Sequence, residues 1–488
     1  MVEKRIQNTA IDISPNANNS LEVEGVGEEI QLQEPENTNK GYEIIQEQDG
    51  GVTLDFDPSQ KQSEGDYFAN IAEFIDDDIL EKLSSDLQKN FEDDKNSRSD
   101  WEKTYKEGLD LLGFKYEERS KPFAGAAGVT HPLLAEAVTQ FQAQAYKELL
   151  PPGGPVRTEI LGVPSLEVEQ QAERIKEFMN YQITCEMQEF DPELDQLLFH
   201  LPLAGSAFKK VYYDGTLERA VSKFIPAEDL VVPYFITDLE SCGRITHIVK
   251  MKHNDLRKNQ VSGFYRDIEL QPNTAKTSDI KEKQDELSGV EQVSFTEEEH
   301  NVLEMHVDLD LPGYEDMGAN NEKTGIMLPY IVTLDEDSGE ILSIYRNWNQ
   351  GDASRKKKEY FTHFKFLPGL GFYGFGLIHM LGGLSRTATA ALRQLIDAGT
   401  LSNLPAGFKA RGLRIRDDDE ALNPGEWRDV DAPGGNLRES LMPLPYKEPS
   451  GTLFQLLGFV VDAGRRFAGV ADMMMGENAG SQQQPVGT

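Results

Sequence analysis

Residues 366–403 read FLPGLGFYGFGLIHMLGGLSRTATAALRQLIDAGTLSN, and this stretch decides the fold. A Gly/aromatic loop, FLPGLGFYGFG at 366–376, feeds a run in which Leu377, Leu381, Leu384, Ala388, Leu392 and Leu395 recur every three or four residues. That period puts them on one face and predicts a long helix over about 375–403. A second run follows at about 450–470, where Leu453, Leu456, Val460, Ala463, Phe467 and Val470 make a coiled-coil-like seam. Between them, 404–447 is broken into short pieces by NPGE, APGG and MPLPY. Two helices bracketing such a module read as a helical hairpin with the module at its tip. One wide apolar stripe on a hairpin cannot be buried by the hairpin alone, so it wants neighbours, as in a closed ring.

Working outward, Asp76, Asp77 and Asp78 can cap a helix carrying Leu80, Leu83 and Leu87. The polar run EDDKNSRSD reads as a break, after which Trp101, Tyr105, Leu109 and Leu112 resume helical spacing. Leu134, Val138, Phe141, Ala145 and Leu149 mark a helix over 132–150, which PPGGP at 151–155 ends. A further helix at about 165–187 starts at Ser165, with Glu167 and Glu169 in its first turn. The centre changes period. Asp214-Gly215 between two strand-like runs predicts a tight hairpin. Leu303, Met305, Val307, Leu309 and Leu311 alternate with Glu304, His306, Asp308 and Asp310, which predicts a half-buried strand. Tyr330, Val332 and Leu334, then DEDSGE, then ILSIYRNW give another hairpin. Helices before and after a β-rich centre make the expected class α+β.

The chain's 488 residues are enough to bury a substantial core in two or more domains; its formal charge is −36, and its apolar content of 38% is on the low side for a globular protein. Residues 1–60 are acidic, poor in aromatics and expected to be mostly disordered; a second polar stretch runs from about 271 to 299. A protein that grips DNA by neutralising phosphates should be basic, so the charge argues against a classical DNA-binding regulator or nuclease. It fits a solvated surface, acidic tails, or a passage in which DNA moves without sticking. Cys185 and Cys242 lack metal-site spacing and suggest a reducing compartment. The N-terminus has no apolar core of a signal peptide, and no span of ~18 apolar residues predicts a membrane helix.

Few motifs carry chemistry. Gly369, Gly371 and Gly374 match the dinucleotide fingerprint letter for letter, but no buried strand is expected before them and Asp397 lies inside a helix. They read instead as a flexible lead into the helix. DEDSGE at 335–340 has its Gly one place early for a calcium loop and strands on both sides, so it reads as a hairpin turn. His131 and His379 read as packed or capping residues. No nucleophile elbow and no P-loop occurs, which argues against an ATP-driven motor. No catalytic residue, metal site or cofactor is expected.

The stretches WEKTYKEGLDLLG (101–113), THPLLAEAVTQFQAQAYKELLPPGGP (130–155), the run from Tyr360 to Gly412, PGEWRDVDAPGG (424–435) and PYKEPS (445–450) resemble, in length and order, the portal proteins of tailed double-stranded DNA phages. The likeness is particularly to the larger portals of short-tailed phages and covers roughly residues 100–488. The resemblance implies a wing over 61–365, a stem made of 366–403 and 448–470, a clip at 404–447, and the start of a tunnel loop at 471–488. A crown would follow and is expected to be missing. It also implies a non-enzymatic subunit of a closed ring of about twelve copies, set at one capsid vertex of the virion and assembled in the host cytoplasm. Expected partners are passing double-stranded DNA, the terminase large subunit, the major capsid and scaffolding proteins, and head–tail adaptors, with no membrane. The alternative from another class is an acidic adaptor or scaffold-binding protein that recruits basic partners through residues 1–60.

Candidate contact residues follow. Arg386 and Arg393, seven apart on one helix, could line a channel or pair with acids of an adjacent subunit. Gln482, Gln483 and Gln484 are uncharged hydrogen-bonding candidates for DNA, or a plain loop. Arg355, Lys356, Lys357 and Lys358 could touch phosphates or an acidic neighbour, or form a solvated turn.

Overall fold

The computed structural model describes residues 67–469 other than 216, 271–277, 291–298, 318–321 and 404–445. It adds the backbone of 43–46, 52–55, 407–409, 414–415, 430–431, 441–443 and 470–474. Two units separate, Met1–Lys61 and Gln62–Thr488. The first contains an antiparallel hairpin of β1 (Glu43–Gln46) and β2 (Val52–Asp55), which the reading of 1–60 did not anticipate.

The second unit mixes helices with antiparallel sheet, an α+β arrangement. Helix α1 (Asp77–Ser97) carries Asp77 and Asp78 in its first turn, where the helix dipole favours acids; Asp76 stands at the N-cap but makes no side-chain cap bond. The expected break at EDDKNSRSD is present but only one residue long. The helix runs to Ser97, and only Arg98 separates it from α2 (Ser99–Leu109). Two charges that look solvated in sequence turn inward. Asp94 accepts two bonds from the Arg244 guanidinium, at 2.8 and 2.9 Å, and Arg98 is only 6% exposed. Helix α3 (Leu133–Leu149) buries Leu134, Val138, Phe141 and Ala145 as its spacing predicts, while Leu149 is exposed.

Helix α4 (Leu166–Tyr181) begins at Ser165, whose hydroxyl accepts from the Val168 amide, and passes into a π-helical turn at Gln182–Glu186. Helix α5 (Phe190–Ala204) ends at Gly205 and leads directly into β3 (Ser206–Asp214). The β3–β4 connection spans residues 215–218, longer than a two-residue turn, with Asp214 accepting from the Leu217 amide.

Two sheets fill the centre. The first has order β10-β3-β4, with β4 at Arg219–Pro226 and β10 at Phe361–Lys365. The second has order β5-β6-β7-β8-β9: Leu230–Val231, Arg244–Lys252, Glu299–Leu309, Leu328–Asp335 and Ile341–Arg346. DEDSGE is the β8–β9 turn; Asp335 accepts from the Ser338 amide and hydroxyl, and Gly339 takes φ +73°. Strand β7 is buried on both faces rather than one. Leu303, Met305 and Val307 join a core with Leu80, Leu87 and Phe91 of α1. Glu304 and His306, expected to face water, meet the three-stranded sheet.

Between β6 and β7 lie α6 (His253–Val261) and α7 (Asp279–Ser288). The latter gives a folded element to the polar stretch at 271–299; it buries Ile280 in the core shared by α2 and α3. Helices α8 (Leu377–Asn403) and α9 (Gly451–Met474) close the order. Between them β11 (Gly407–Lys409) pairs with β14 (Leu441–Pro443), and β12 (Arg414–Ile415) with β13 (Val430–Asp431). Gly399 lies against Pro449 (3.8 Å from an added Cβ), so the end of α8 meets the start of α9 and the pair is a helical hairpin.

Candidate assembly surface

The Gly/aromatic loop anchors the hairpin, and it is clamped rather than flexible. The Phe366 amide donates to Gly205 O (3.0 Å), the Gly374 amide to the buried Ser206 hydroxyl (2.8 Å), and the Gly376 amide to His379 Nδ1 (3.1 Å). His379 is thus a capping residue, as expected. Phe372 stacks on Phe208, and Tyr373 stacks on Trp101 with centroids 4.6 Å apart. None of Gly369, Gly371, Gly374 or Gly376 has positive φ. Gly369, Gly374 and Gly376 are required for close backbone approach: an added Cβ would lie 1.9–2.4 Å from a carbonyl oxygen in each case. The strand that precedes the loop, β10, is not a buried one: only Phe361 is buried, and β10 is the antiparallel edge of its sheet and not part of a βαβ unit.

Helix α8 lies where its periodicity placed it, burying Leu377, Leu381 and Ala388 with Leu384, Leu392 and Leu395 half-buried. Gly108 of α2 admits Ile378 so closely that a Cβ there would sit 2.4 Å from it. Helix α9 does not follow its predicted seam. The covered line runs through Leu453, Leu457, Val460, Gly464 and Ala468, and Leu133 of α3 fits against Gly464. A side chain is not needed where two helices touch backbone to side chain, so the contact passes through a glycine and the larger groups turn outward. Leu456, Phe459 and Phe467 are 46%, 72% and 50% exposed. Their spacing sets them on one uncovered face.

The predicted contact residues are mostly engaged within the chain. Arg386 pairs with Glu107 (2.9 Å). Arg393 donates to Val129 O (2.7 Å) and pairs with Glu117 (2.7 Å). Both line a cleft of about 1180 Å³ beside α8, with Lys115, Arg119, Lys283 and Asp397, whose charges are of both signs and paired with one another or their neighbours. Arg355 pairs with Asp316, and Lys357 donates to Cys242 O (2.8 Å) and Glu240 O (3.2 Å). The Lys358 amide donates to Asn347 O, and Asp352 accepts from the Ser354 and Lys356 amides. Arg355 to Lys358 therefore form a folded turn, with the Lys356 side chain left exposed. Gln482, Gln483 and Gln484 lie outside the described residues.

Sequence reasoning missed an ionic clamp between the two sheets. Lys210 of β3 donates to both Glu304 oxygens of β7 (2.6 and 2.5 Å), and His306 Nε2 lies 2.8 Å from Glu304 Oε1. His306 also meets the Phe361 ring edge-on. The signal was a His on the polar side of an alternating strand, which periodicity alone assigns to water. Burial pushes His247 down to about 4, and His363 to about 3; burial also lowers His306 and His200. A histidine with a depressed folded value stabilises above the unfolded value and loses that contribution as pH falls. Asp229, raised to about 7 by burial and Glu228, acts in the opposite sense. His131 and His379 are lowered by burial as well, and burial raises Asp94 and Asp308 alongside Asp229, so six histidines stand against three acids and the balance is a net loss. Unfolding in urea should therefore occur at lower midpoint at pH 4.5 than at pH 7, His247 alone contributing up to about 3 kcal/mol. His247→Phe should flatten this dependence; an unchanged slope would refute the assignment.

Among the described residues no group of three or more His, Cys, Asp or Glu is placed to hold a metal ion, and no helix is long and apolar enough to cross a membrane. No family model matches the chain, and no curated protein matches it.

Proposed function

We propose that this chain is a ring-forming subunit of the portal type, a passive conduit for double-stranded DNA at one vertex of a phage capsid. In this reading α8 and α9 are the stem, the strand pairs between them the clip, and the α+β body to about residue 365 the wing. The clip end docks a separate terminase during packaging and tail adaptors afterwards. The observation that carries the reading is the clamped hairpin of α8 and α9 with an apolar stripe left uncovered along α9. An uncovered stripe of this kind marks an interaction surface, and head-to-tail contacts between unlike faces close into rings when the rotation closes. The charge of −36 and the in-chain pairing of Arg386 and Arg393 support a surface on which phosphates do not adhere.

Electron microscopy of the purified chain across a concentration series tests the proposal. Closed rings with a central pore wide enough for a duplex are expected. Monomers at every concentration, or open filaments without rings, would sink it.

A further inference from the structure

Helix α4 is sixteen residues long and buries none of them. An isolated helix of that length is marginal in water, and most helical stability comes from covering an apolar face. Such a face exists. Val168, Ala172, Ile175 and Met179 repeat at spacings of four, three and four, and the chain leading in exposes Leu161 and Val163 at 93% and 90%. What the helix does hold to its own chain is narrow: Asn180 exchanges bonds with the Val156 amide and carbonyl. The fold thus presents an amphipathic helix whose apolar face has no partner among the described residues.

We infer that the α4 stripe is covered by a second copy of this chain, docked on the uncovered Leu456–Phe459–Phe467 face of that copy's α9. This rests on the ring reading and specifies one of its contacts. Two arguments favour the second copy. The first is that one chain carries both halves of a head-to-tail contact, two unlike apolar faces on helices that do not pack on each other. The second is charge. Glu169, Glu173 and Glu177, four apart, form an acidic line beside the α4 stripe. Glu173 already holds Lys176, whereas Glu169 and Glu177 have no ion pair among the described residues. On the α9 face the exposed charges are Asp462, Arg465 and Arg466. Arg465 is committed to Glu136 of its own chain (3.2 Å). Arg466 pairs with no acid among the described residues and lies two turns from Phe459 on the same line, available to the acidic edge of α4. Antiparallel pairing of α4 with its own copy would instead set the glutamate line against itself, like charge on like.

Directed cross-linking in the full chain tests the contact. In a Cys185→Ser background, which removes the exposed native thiol, Ile175→Cys chains are mixed with size-tagged Phe459→Cys chains and oxidised. A cross-linked pair from the mixture, and none from either variant alone, is expected. A link formed by Ile175→Cys chains alone, or none in a mixture that has assembled, overturns the inference. Arg466→Glu should weaken self-association about tenfold, and adding Glu169→Lys and Glu177→Lys to the same chain should restore most of it. If Ile175→Asp leaves rings intact while Phe459→Asp disperses them, the α4 contact fails and the ring reading stands. If the unaltered chain never self-associates, both fail. Circular dichroism of each variant confirms that the surface change has left the fold in place.

Discussion

Arg98→Ala is expected to lower the unfolding free energy by about 3–5 kcal/mol, the loss typical of breaking a buried ionic network. The guanidinium donates to Glu102 (2.8 Å), to the carbonyls of Ala227 (3.2 Å), Glu228 (2.5 Å) and Leu230 (2.8 Å), and to the Tyr373 hydroxyl (3.0 Å). These partners come from α2, from the link between the two sheets, and from the Gly/aromatic loop. Alanine leaves all of them facing a void, and each buried acceptor then bears its own desolvation cost. Arg98→Lys keeps the charge but not the planar fork, so an intermediate loss is expected. Urea denaturation followed by far-ultraviolet circular dichroism measures both. Lys356→Ala, at an exposed side chain, serves as the control and should change stability by less than about 0.5 kcal/mol. Equal effects for Arg98→Ala and Lys356→Ala would mean that Arg98 does not join these elements.

Gly205→Ala should be at least as damaging, by a different route. Gly205 has φ +87°, a conformation that disfavours any side chain, and its added Cβ would lie 2.4 Å from Gly374 O and from Gly376 N. Backbone atoms cannot rotate away as a side chain can. The loop at 366–376 must lift, and with it the Tyr373 ring stacked on Trp101. A loss on the order of 4 kcal/mol follows from strain and lost packing together. The near-ultraviolet dichroism of the Trp101–Tyr373 pair should collapse, and Gly376→Ala should give the same phenotype without adding to it, since the two glycines share one contact. Gly371→Ala meets nothing within 4 Å and should be nearly silent. A silent Gly205→Ala would contradict this account of the loop.

Periodicity was a sound guide where apolar side chains decide the packing. Leu377, Leu381 and Ala388 are buried as spaced, the Ser165 cap is in place, and β8 and β9 meet at DEDSGE. It failed where other physics decides. Asp94 and Arg98 read as a solvated break because a charge gives no hint of its partner, and their partners lie far along the chain at Arg244 and at residues 227–230. Along α9 the reading favoured Phe467 over Gly464, although close helix contact selects the smaller residue. Glu304 and His306 were assigned to water by alternation, because one strand's sequence does not reveal that a second sheet covers it. The contact candidates Arg386 and Arg393 were legible as facing one way, but their acids, Glu107 and Glu117, sit on segments far away in sequence.

The in-chain pairing of cations along α8 and α9 has a thermodynamic corollary. Affinity for a polyanion comes largely from the entropy gained when bound counterions return to bulk solution. Arg386, Arg393 and Arg465 have already exchanged their solution anions for Glu107, Glu117 and Glu136. A phosphate backbone brought to these residues finds few ions left to liberate. If the chain is a DNA conduit as proposed, its retention of duplex should be weak at low salt and nearly flat as salt rises, these arginines offering a smooth wall and not a ratchet.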